Sequence, residues 1–352
     1  MSTRRQFLIG TVASAAAIAA DPGDFSVVVH DGKSPNLLCC DTTLRQMLDG
    51  SWVLVMLGGG DKEPLPDNRI FISRSHDRGK TWTPMQPIPL DLSKYTPQPA
   101  LVPSELMVHD GKCRLFFACH DGRFREWTTW YVVSHDSCRT WDEPQPVPAA
   151  IHHATFVRNT LVRKNGELVV PFQHYESTLG PVNPRNGVMI SKDKGRTFDL
   201  YGDIRISDDD SYHGFAENNI VEFEDGRMVM LIRADRLGGV LFQAESTDGG
   251  RAWSKAKPTD IPNPGSKATL YPLGGNRAAL LHNPNPKVRN PLSLWVTSDG
   301  MRTWGYKRDL VTSLGRLNYP DGFVSKDGRY LHFAYDDNRS KAVYYAARLP
   351  EK

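Results

Sequence analysis

The chain has 352 residues, and its 43 Lys and Arg against 40 Asp and Glu leave a net charge of only +3. Charges so balanced and so evenly spread offer no basic face to nucleic acid and no polybasic patch to a membrane surface. Five cysteines, an odd number in a chain long enough to bury a core, exclude a disulfide framework.

The first predicted element is a targeting segment. Thr3-Arg4-Arg5-Gln6-Phe7-Leu8, followed by an apolar run to Ala20, has the charged and apolar regions of a secretory signal, and the adjacent arginines resemble a twin-arginine export signal. Ala17-Ile18-Ala19 fits a small-x-small cleavage site, and the run is short for a transmembrane span. Residues 1–20 are therefore expected to be a signal peptide. The mature chain, 21–352, is expected to be one domain without a membrane span, exported to the periplasm or outside the cell.

From there on every predicted element is a strand. Phe25-Ser-Val-Val-Val-His30 is the first. Asp49-Gly50, Asp110-Gly111, Asn165-Gly166, Asp225-Gly226, Gly274-Gly275 and Asp327-Gly328 are hairpin-turn dipeptides between apolar or alternating runs. Each but the last is followed by one pattern: Ser75-His-Asp-Arg-Gly-Lys-Thr-Trp82, Ser134-His-Asp-Ser-Cys-Arg-Thr-Trp141, Ser191-Lys-Asp-Lys-Gly-Arg-Thr-Phe198, Ser246-Thr-Asp-Gly-Gly-Arg-Ala-Trp253 and Thr297-Ser-Asp-Gly-Met-Arg-Thr-Trp304. Their starts are 59, 57, 55 and 51 residues apart, a period that marks a repeat of one supersecondary unit. Within the pattern the Ser/Thr and Asp bond the backbone of a tight turn, Gly permits the turn dihedrals, and the terminal aromatic is expected to be largely buried beneath it.

One unit thus reads strand A, tight turn, strand B, longer loop, strand C, patterned turn, strand D. That is the four-stranded antiparallel blade of a β-propeller. Six turns give six blades, and the missing sixth pattern is explained if 25–30 supplies the last strand. An all-β, six-bladed propeller is the expected fold.

This topology sorts the polar residues. The A–B and C–D turns share one face, so Asp77, Asp136, Asp193, Asp248 and Asp299 are structural. The functional face is the other, where strand A begins and the B–C loops run. Strand-A starts offer Cys40-Asp41-Thr42, Ser104-Glu105, Arg158-Asn159, Glu217-Asn218, Lys267 and Tyr319. The loops offer Asp61, Asp67, Arg69, His120, Asp121, Arg123 and Arg125, then His174, Tyr175, Arg185, Arg233, Asp235, Arg289, Asp336 and Arg339. Several arginines about one axis suit a carboxylate, which the planar guanidinium grips with two bonds. A glutamate beside a tyrosine is a nucleophile arrangement known in glycoside hydrolysis. No Cys/His spacing reads as a metal site, and no cofactor is expected.

The patterned turns resemble the Asp-box, or BNR, repeats of the sialidase (neuraminidase) superfamily, over essentially the whole mature chain. The resemblance implies a six-bladed propeller and carries residue roles with it. Glu217, in Phe-Ala-Glu-Asn-Asn-Ile-Val, resembles the glutamate that activates the family's tyrosine, and Tyr319, in Leu-Asn-Tyr-Pro, resembles that nucleophile. Arg233, in Met-Leu-Ile-Arg, and Arg289 resemble the second and third carboxylate-binding arginines. The position of the family's first arginine falls near Cys40, within Leu-Cys-Cys-Asp-Thr-Thr-Leu-Arg45. The family's acid aspartate belongs to the first B–C loop, where this chain has Asp61 and Asp67.

The expected activity is therefore exo-acting hydrolysis of a terminal acidic sugar from a glycan or oligosaccharide. Tyr319, Glu217, Asp67 and Asp61 are the catalytic candidates, and Arg233, Arg289, Arg158, Arg125 and His120 the binding candidates. Two other readings stay open: a uronic-acid glycan lyase or hydrolase, with His120, His174 or Tyr175 moving the proton, and a non-catalytic glycan-binding propeller. A monomer is expected.

Overall fold

Six antiparallel sheets surround one axis in the computed structural model, which describes residues 23–176 and 180–351. Blade 1 runs from the axis outward as Cys40–Gln46, Trp52–Gly58, Arg69–Ser75 and Gln86–Pro87. Blade 2 begins with Ala100–His109, blade 4 with Asn218–Glu222, blade 5 with Thr269–Gly274 and blade 6 with Leu317–Val324. Blade 3 has its inner strand in two pieces, Thr155–Val157 and Leu161–Val162, both paired with Leu168–Tyr175. The 3-10 turn Ala149–Ile151 is the one helical piece among the described residues. None of them forms a helix long and apolar enough to cross a membrane. The expected signal peptide falls in residues 1–20, outside the described residues.

Strand position dictates composition. Trp52–Gly58, covered on both faces, is buried at every residue, and its sequence is one apolar run. Tyr306–Val311, the outermost strand of blade 5, buries none of its residues fully. Each seam between neighbouring blades has its own apolar cluster. Leu106, Leu115 and Phe117 meet Val53 and Val55 between blades 2 and 1, while Ile220, Met228 and Met230 meet Val169 and Val188 between blades 4 and 3.

The ring closes as expected. Phe25–His30 pairs antiparallel with Lys341–Arg348, with Phe25 opposite Ala346 and Val27 opposite Tyr344, and so becomes the outer strand of blade 6. The N-terminal and C-terminal strands then hold one another in a single blade.

All five patterned turns join strands C and D. In the first, Asp77 accepts from the Thr81 amide at 2.9 Å and the Thr81 hydroxyl at 2.6 Å, and the Gly79 amide donates to Ser75 Oγ at 2.8 Å. In the second, Cys138 takes the left-handed backbone (φ 65) that Gly79 takes in the first (φ 86). The turns also tie blades together. Arg139 reaches Asp49 in the A–B turn of blade 1 at 2.7 Å, and Arg251 reaches Glu167 beside the A–B turn of blade 3 at 2.7 Å. Turns and patterns therefore share one face.

The aromatic residues that end the patterns depart from expectation. Trp82, Trp141, Phe198, Trp253 and Trp304 are half-buried rather than largely buried. Each lies over the outer edge of a seam cluster instead of inside it. The indole N–H groups of Trp82 and Trp253 bond carbonyls of their own turns, at 3.0 and 2.8 Å, which keeps one ring edge at the surface.

Candidate active site at the axial cleft

On the face opposite the patterned turns, the inner strands open into a cleft of about 260 Å³. Its polar lining is Asp41, Glu63, Arg158, Glu217, Arg233, Arg289, Tyr319 and Arg339, and its apolar walls include Phe124, Phe156 and Phe215. The topology explains the convergence. Asp41, Arg158, Glu217 and Tyr319 stand at or beside strand-A starts, Arg233 follows the end of a strand B, and Glu63, Arg289 and Arg339 come from B–C loops.

Tyr319 is carried on a distortion of blade 6. Its backbone is left-handed (φ 49), and the register with strand B breaks between Asn318 and Asp321. A left-handed aromatic residue is costly and persists only where its surroundings hold it. Here the Thr42 hydroxyl bonds the Tyr319 carbonyl at 3.0 Å and the Thr269 hydroxyl bonds the Pro320 carbonyl at 2.6 Å. Gly322 completes the distortion, since a Cβ there would stand 1.9 Å from the His332 carbonyl oxygen.

The Tyr319 hydroxyl donates to Glu217 Oε1 at 3.2 Å. Arg233 Nη1 donates to both Glu217 oxygens, at 3.0 and 2.9 Å, and lies 3.3 Å from the Tyr319 hydroxyl. Asp235 grips the other edge of the same guanidinium at 2.6 and 2.8 Å. Arg158 stands 3.6 Å from Glu217. Burial alone raises the Glu217 pKa, but Arg233 and Arg158 outweigh it and hold the carboxyl below its ordinary range. Burial, then the Glu217 charge, push the Tyr319 phenol above its usual value. The resting pair is thus a protonated phenol on a carboxylate, with a guanidinium against both.

Arg289 differs from Arg233. Its guanidinium bonds Asn318 Oδ1 at 3.0 Å and the Gly265 carbonyl at 2.8 Å, and it lies over the Tyr319 ring at 5.7 Å. Both of those acceptors are neutral.

Of the sequence candidates, Tyr319, Glu217, Arg233, Arg289 and Arg158 meet in the cleft. Asp61 and Asp67 do not: both are exposed on the loop 59–68. Asn68 folds that loop by accepting from the Leu65 amide at 2.8 Å and donating to the Gly59 and Lys62 carbonyls at 2.8 and 3.1 Å, and Glu63 is the acid that enters. Arg125 is exposed and paired with Asp121 at 2.9 Å. His120 is buried and stacked at 4.0 Å on Phe124, so it backs the cleft wall without facing the cleft. Burial lowers its pKa to about 4, which keeps the ring neutral. His174 bonds Thr155 at 2.8 Å, and the Tyr175 hydroxyl accepts from the Ala216 amide at 3.3 Å. Neither lines the cleft.

Glu63 and Arg339 are the residues that sequence reasoning did not bring to the centre. They form a close ion pair, and the Cys40 thiol donates to Glu63 at 3.0 Å. Cys40, Asp41 and Glu63 place donor atoms within 4.8 Å of one another, a spacing a metal ion could use. Arg339 already supplies positive charge there, and burial first, then Glu63, push the Cys40 thiol well up, so the set suits a guanidinium better than a metal ion.

The family model described as "BNR repeat-like domain" matches residues 51–333. The chain belongs to this family. Solved structures, sialidases among them, share its fold. A Hadza microbial sialidase superposes with a TM-score of 0.76 at 20% identity, covering 92% of this chain and 68% of its own. A Dyadobacter fermentans protein of unknown function gives 0.73 at 18%, covering 94% and 100%. Trypanosoma rangeli sialidase, held as a covalent intermediate with 2,3-difluorosialic acid, gives 0.68 at 16%. The match covers 94% of this chain and 59% of that enzyme. No functionally curated protein matches the chain.

Proposed function

We propose that the protein is an exo-acting, sialidase-like glycoside hydrolase that releases a terminal acidic sugar from a glycan. The observation that carries this reading is the Tyr319 hydroxyl on Glu217 at 3.2 Å, with Arg233 touching both and Arg289 over the tyrosine ring. A neutral phenol is a poor nucleophile near its ordinary pKa of about 10 and needs a base to take its proton. Glu217 is placed to do so, and Arg233 to stabilise the charge that develops on the phenolic oxygen. A neutral nucleophile also suits an anomeric centre that bears a carboxylate, because a carboxylate nucleophile would be repelled.

The charge balance of the cleft supports an anionic substrate. Arg158, Arg233, Arg289 and Arg339 face Asp41, Glu63, Glu217 and the Asp235 bound to Arg233. When Asp41 holds a proton, the guanidinium groups exceed the carboxylates by one. Arg289, whose hydrogen-bond partners among the described residues are neutral, is the clamp for a substrate carboxylate.

The chain is further proposed to act after export directed by residues 1–20. The test is incubation of the purified mature protein with sialyl and uronic-acid oligosaccharides, with released sugar identified by mass. Release of a hydrated acidic monosaccharide supports the reading. An unsaturated product would make the protein a lyase, and no product from any glycan would make it a binding module.

A further inference from the structure

We propose that Asp41, on the innermost strand of blade 1, protonates the departing glycosidic oxygen. The proposal rests on the glycosidase reading above, and gives the acid's role to a strand residue instead of the aspartates of the first B–C loop.

Three observations lead there. The first is availability. Glu217 is taken by Arg233 and Tyr319, Asp235 by Arg233, and Glu63 by Arg339 and the Cys40 thiol. Asp41 alone among the cleft carboxyls has no hydrogen bond or ion pair with a described residue, and it lines the cavity.

The second is backbone. Asp41 is left-handed (φ 50) and lies within the register break between Cys40 and Thr43. Tyr319 is left-handed (φ 49) within the corresponding break of blade 6. Two non-glycine residues in this region, on adjoining inner strands, are both turned to one cleft, and strain of this kind gathers at functional sites. The Thr42 hydroxyl bonds the Tyr319 carbonyl at 3.0 Å, so one contact couples the two distortions and fixes their spacing.

The third is the proton. Burial first, then the charge of Glu63, raise the Asp41 pKa to about 8. Asp336 of blade 6 adds to the rise, while Arg339 of blade 6 and Arg158 of blade 3 oppose it. The Asp41 charge in turn raises the Tyr319 phenol. At neutral pH the carboxyl therefore carries the proton that a leaving alkoxide needs, near the operating pH where an acid works best.

The step balances. The bond from Tyr319 Oη to the anomeric carbon forms as the glycosidic C–O bond breaks. The phenolic proton passes to Glu217, and the Asp41 proton passes to the leaving oxygen, which departs as a neutral alcohol. Water then attacks the anomeric carbon, giving its proton to Asp41, while the tyrosine oxygen recovers its proton from Glu217.

The test compares two substrates that share one sugar: sialyllactose, whose leaving group is an alkyl alcohol, and 4-methylumbelliferyl N-acetylneuraminate, whose leaving group is an acidic phenol needing little protonation. Asp41→Asn should lower kcat/KM, which reports the bond-breaking step, on sialyllactose by about 10²–10⁴-fold and change it little on the activated substrate, while kcat falls on both because water's attack is shared. The fall of kcat/KM above about pH 8 should vanish in this variant and in Asp41→Ala. Glu63→Gln, which removes a charge that raises the Asp41 pKa, should move the alkaline fall of kcat/KM on sialyllactose to lower pH. Thermal melting of each variant reports folding. Equal losses of kcat/KM on both substrates, or wild-type values on both, overturn the assignment of Asp41 while leaving the glycosidase reading intact. A folded wild-type protein that turns over neither substrate, with Tyr319→Phe indistinguishable from it, overturns the glycosidase reading and the acid role with it.

Discussion

Two buried charge clusters occupy the same inner strands, and they are built on opposite rules. Below the cleft, Arg45, Glu105, Lys267 and Asp321 form a closed quartet: Arg45 bonds Glu105 at 2.9 Å and Asp321 more closely still, and Lys267 bonds Asp321 at 2.9 Å. Its charges cancel and every one has an opposite partner. In the cleft, among the described residues, Asp41 has none and Arg289 has only neutral acceptors. A saturated cluster has nothing left to bind and acts by fixing geometry. An unsaturated one keeps desolvated groups in reserve for a ligand. The two are joined through a short stretch of chain, because Asp321 lies two residues beyond Tyr319 and the quartet anchors the strand that presents it.

The largest effect expected from this contrast is at Tyr319, the proposed nucleophile. Tyr319→Phe should lower turnover by about 10⁴-fold, comparable to removing one member of other coupled catalytic groups, while binding of an acidic sugar stays near wild type by calorimetry. Retained turnover would move the chemistry out of the cleft. Next comes the quartet. Asp321→Ala leaves Arg45 and Lys267 facing each other in a buried site and should cost about 3–5 kcal/mol in urea denaturation. A loss under about 1 kcal/mol would mean that the saturated cluster does not hold the inner strands.

Arg289→Ala should be smaller and of a different kind. Its cost is about 1.5–3 kcal/mol, the strength of a hydrogen bond to a charged group, read mainly in KM for an acidic sugar and absent for a neutral one. The smallest effect belongs to the patterned face. Asp136→Ala removes the acceptor of the Thr140 amide and hydroxyl, at 2.9 and 2.6 Å. It should lower Tm by a few degrees with kcat/KM unchanged. A large activity loss there would break the division of the molecule into a structural face and a functional one.

The same division explains what the sequence made legible. Short-range turn chemistry is local, so the patterned octamers and the Asp-Gly turns disclosed the blade, the number of blades and the closing strand. Alternation of turns then placed Tyr319, Glu217 and Arg233 on one face, since each sits at or beside a strand end whose position the turns fix. Glu63 was not legible, because the loop 59–68 carries three acids and their order of entry depends on the Asn68 side chain rather than on spacing. Arg339 depends on a loop of blade 6 crossing to blade 1. Asp41 was visible among strand-A starts, but its exposure to the cleft depends on a register break that no periodicity announces. The aromatic residues of the patterns failed in the other direction. Hydrophobicity suggested burial, whereas the five lie half out, Trp82 and Trp253 with N–H bonds to turn carbonyls that keep a ring edge at the surface.

The central claim is that Tyr319 bonds covalently to the sugar, and intact-protein mass spectrometry after incubation with 2,3-difluorosialic acid tests it most directly. The expected result is a mass increase of one sugar residue, mapped by peptide fragmentation to Tyr319, lost in Tyr319→Phe and slowed in Glu217→Gln. An adduct on another residue, or turnover of sialosides with no adduct at all, would contradict it.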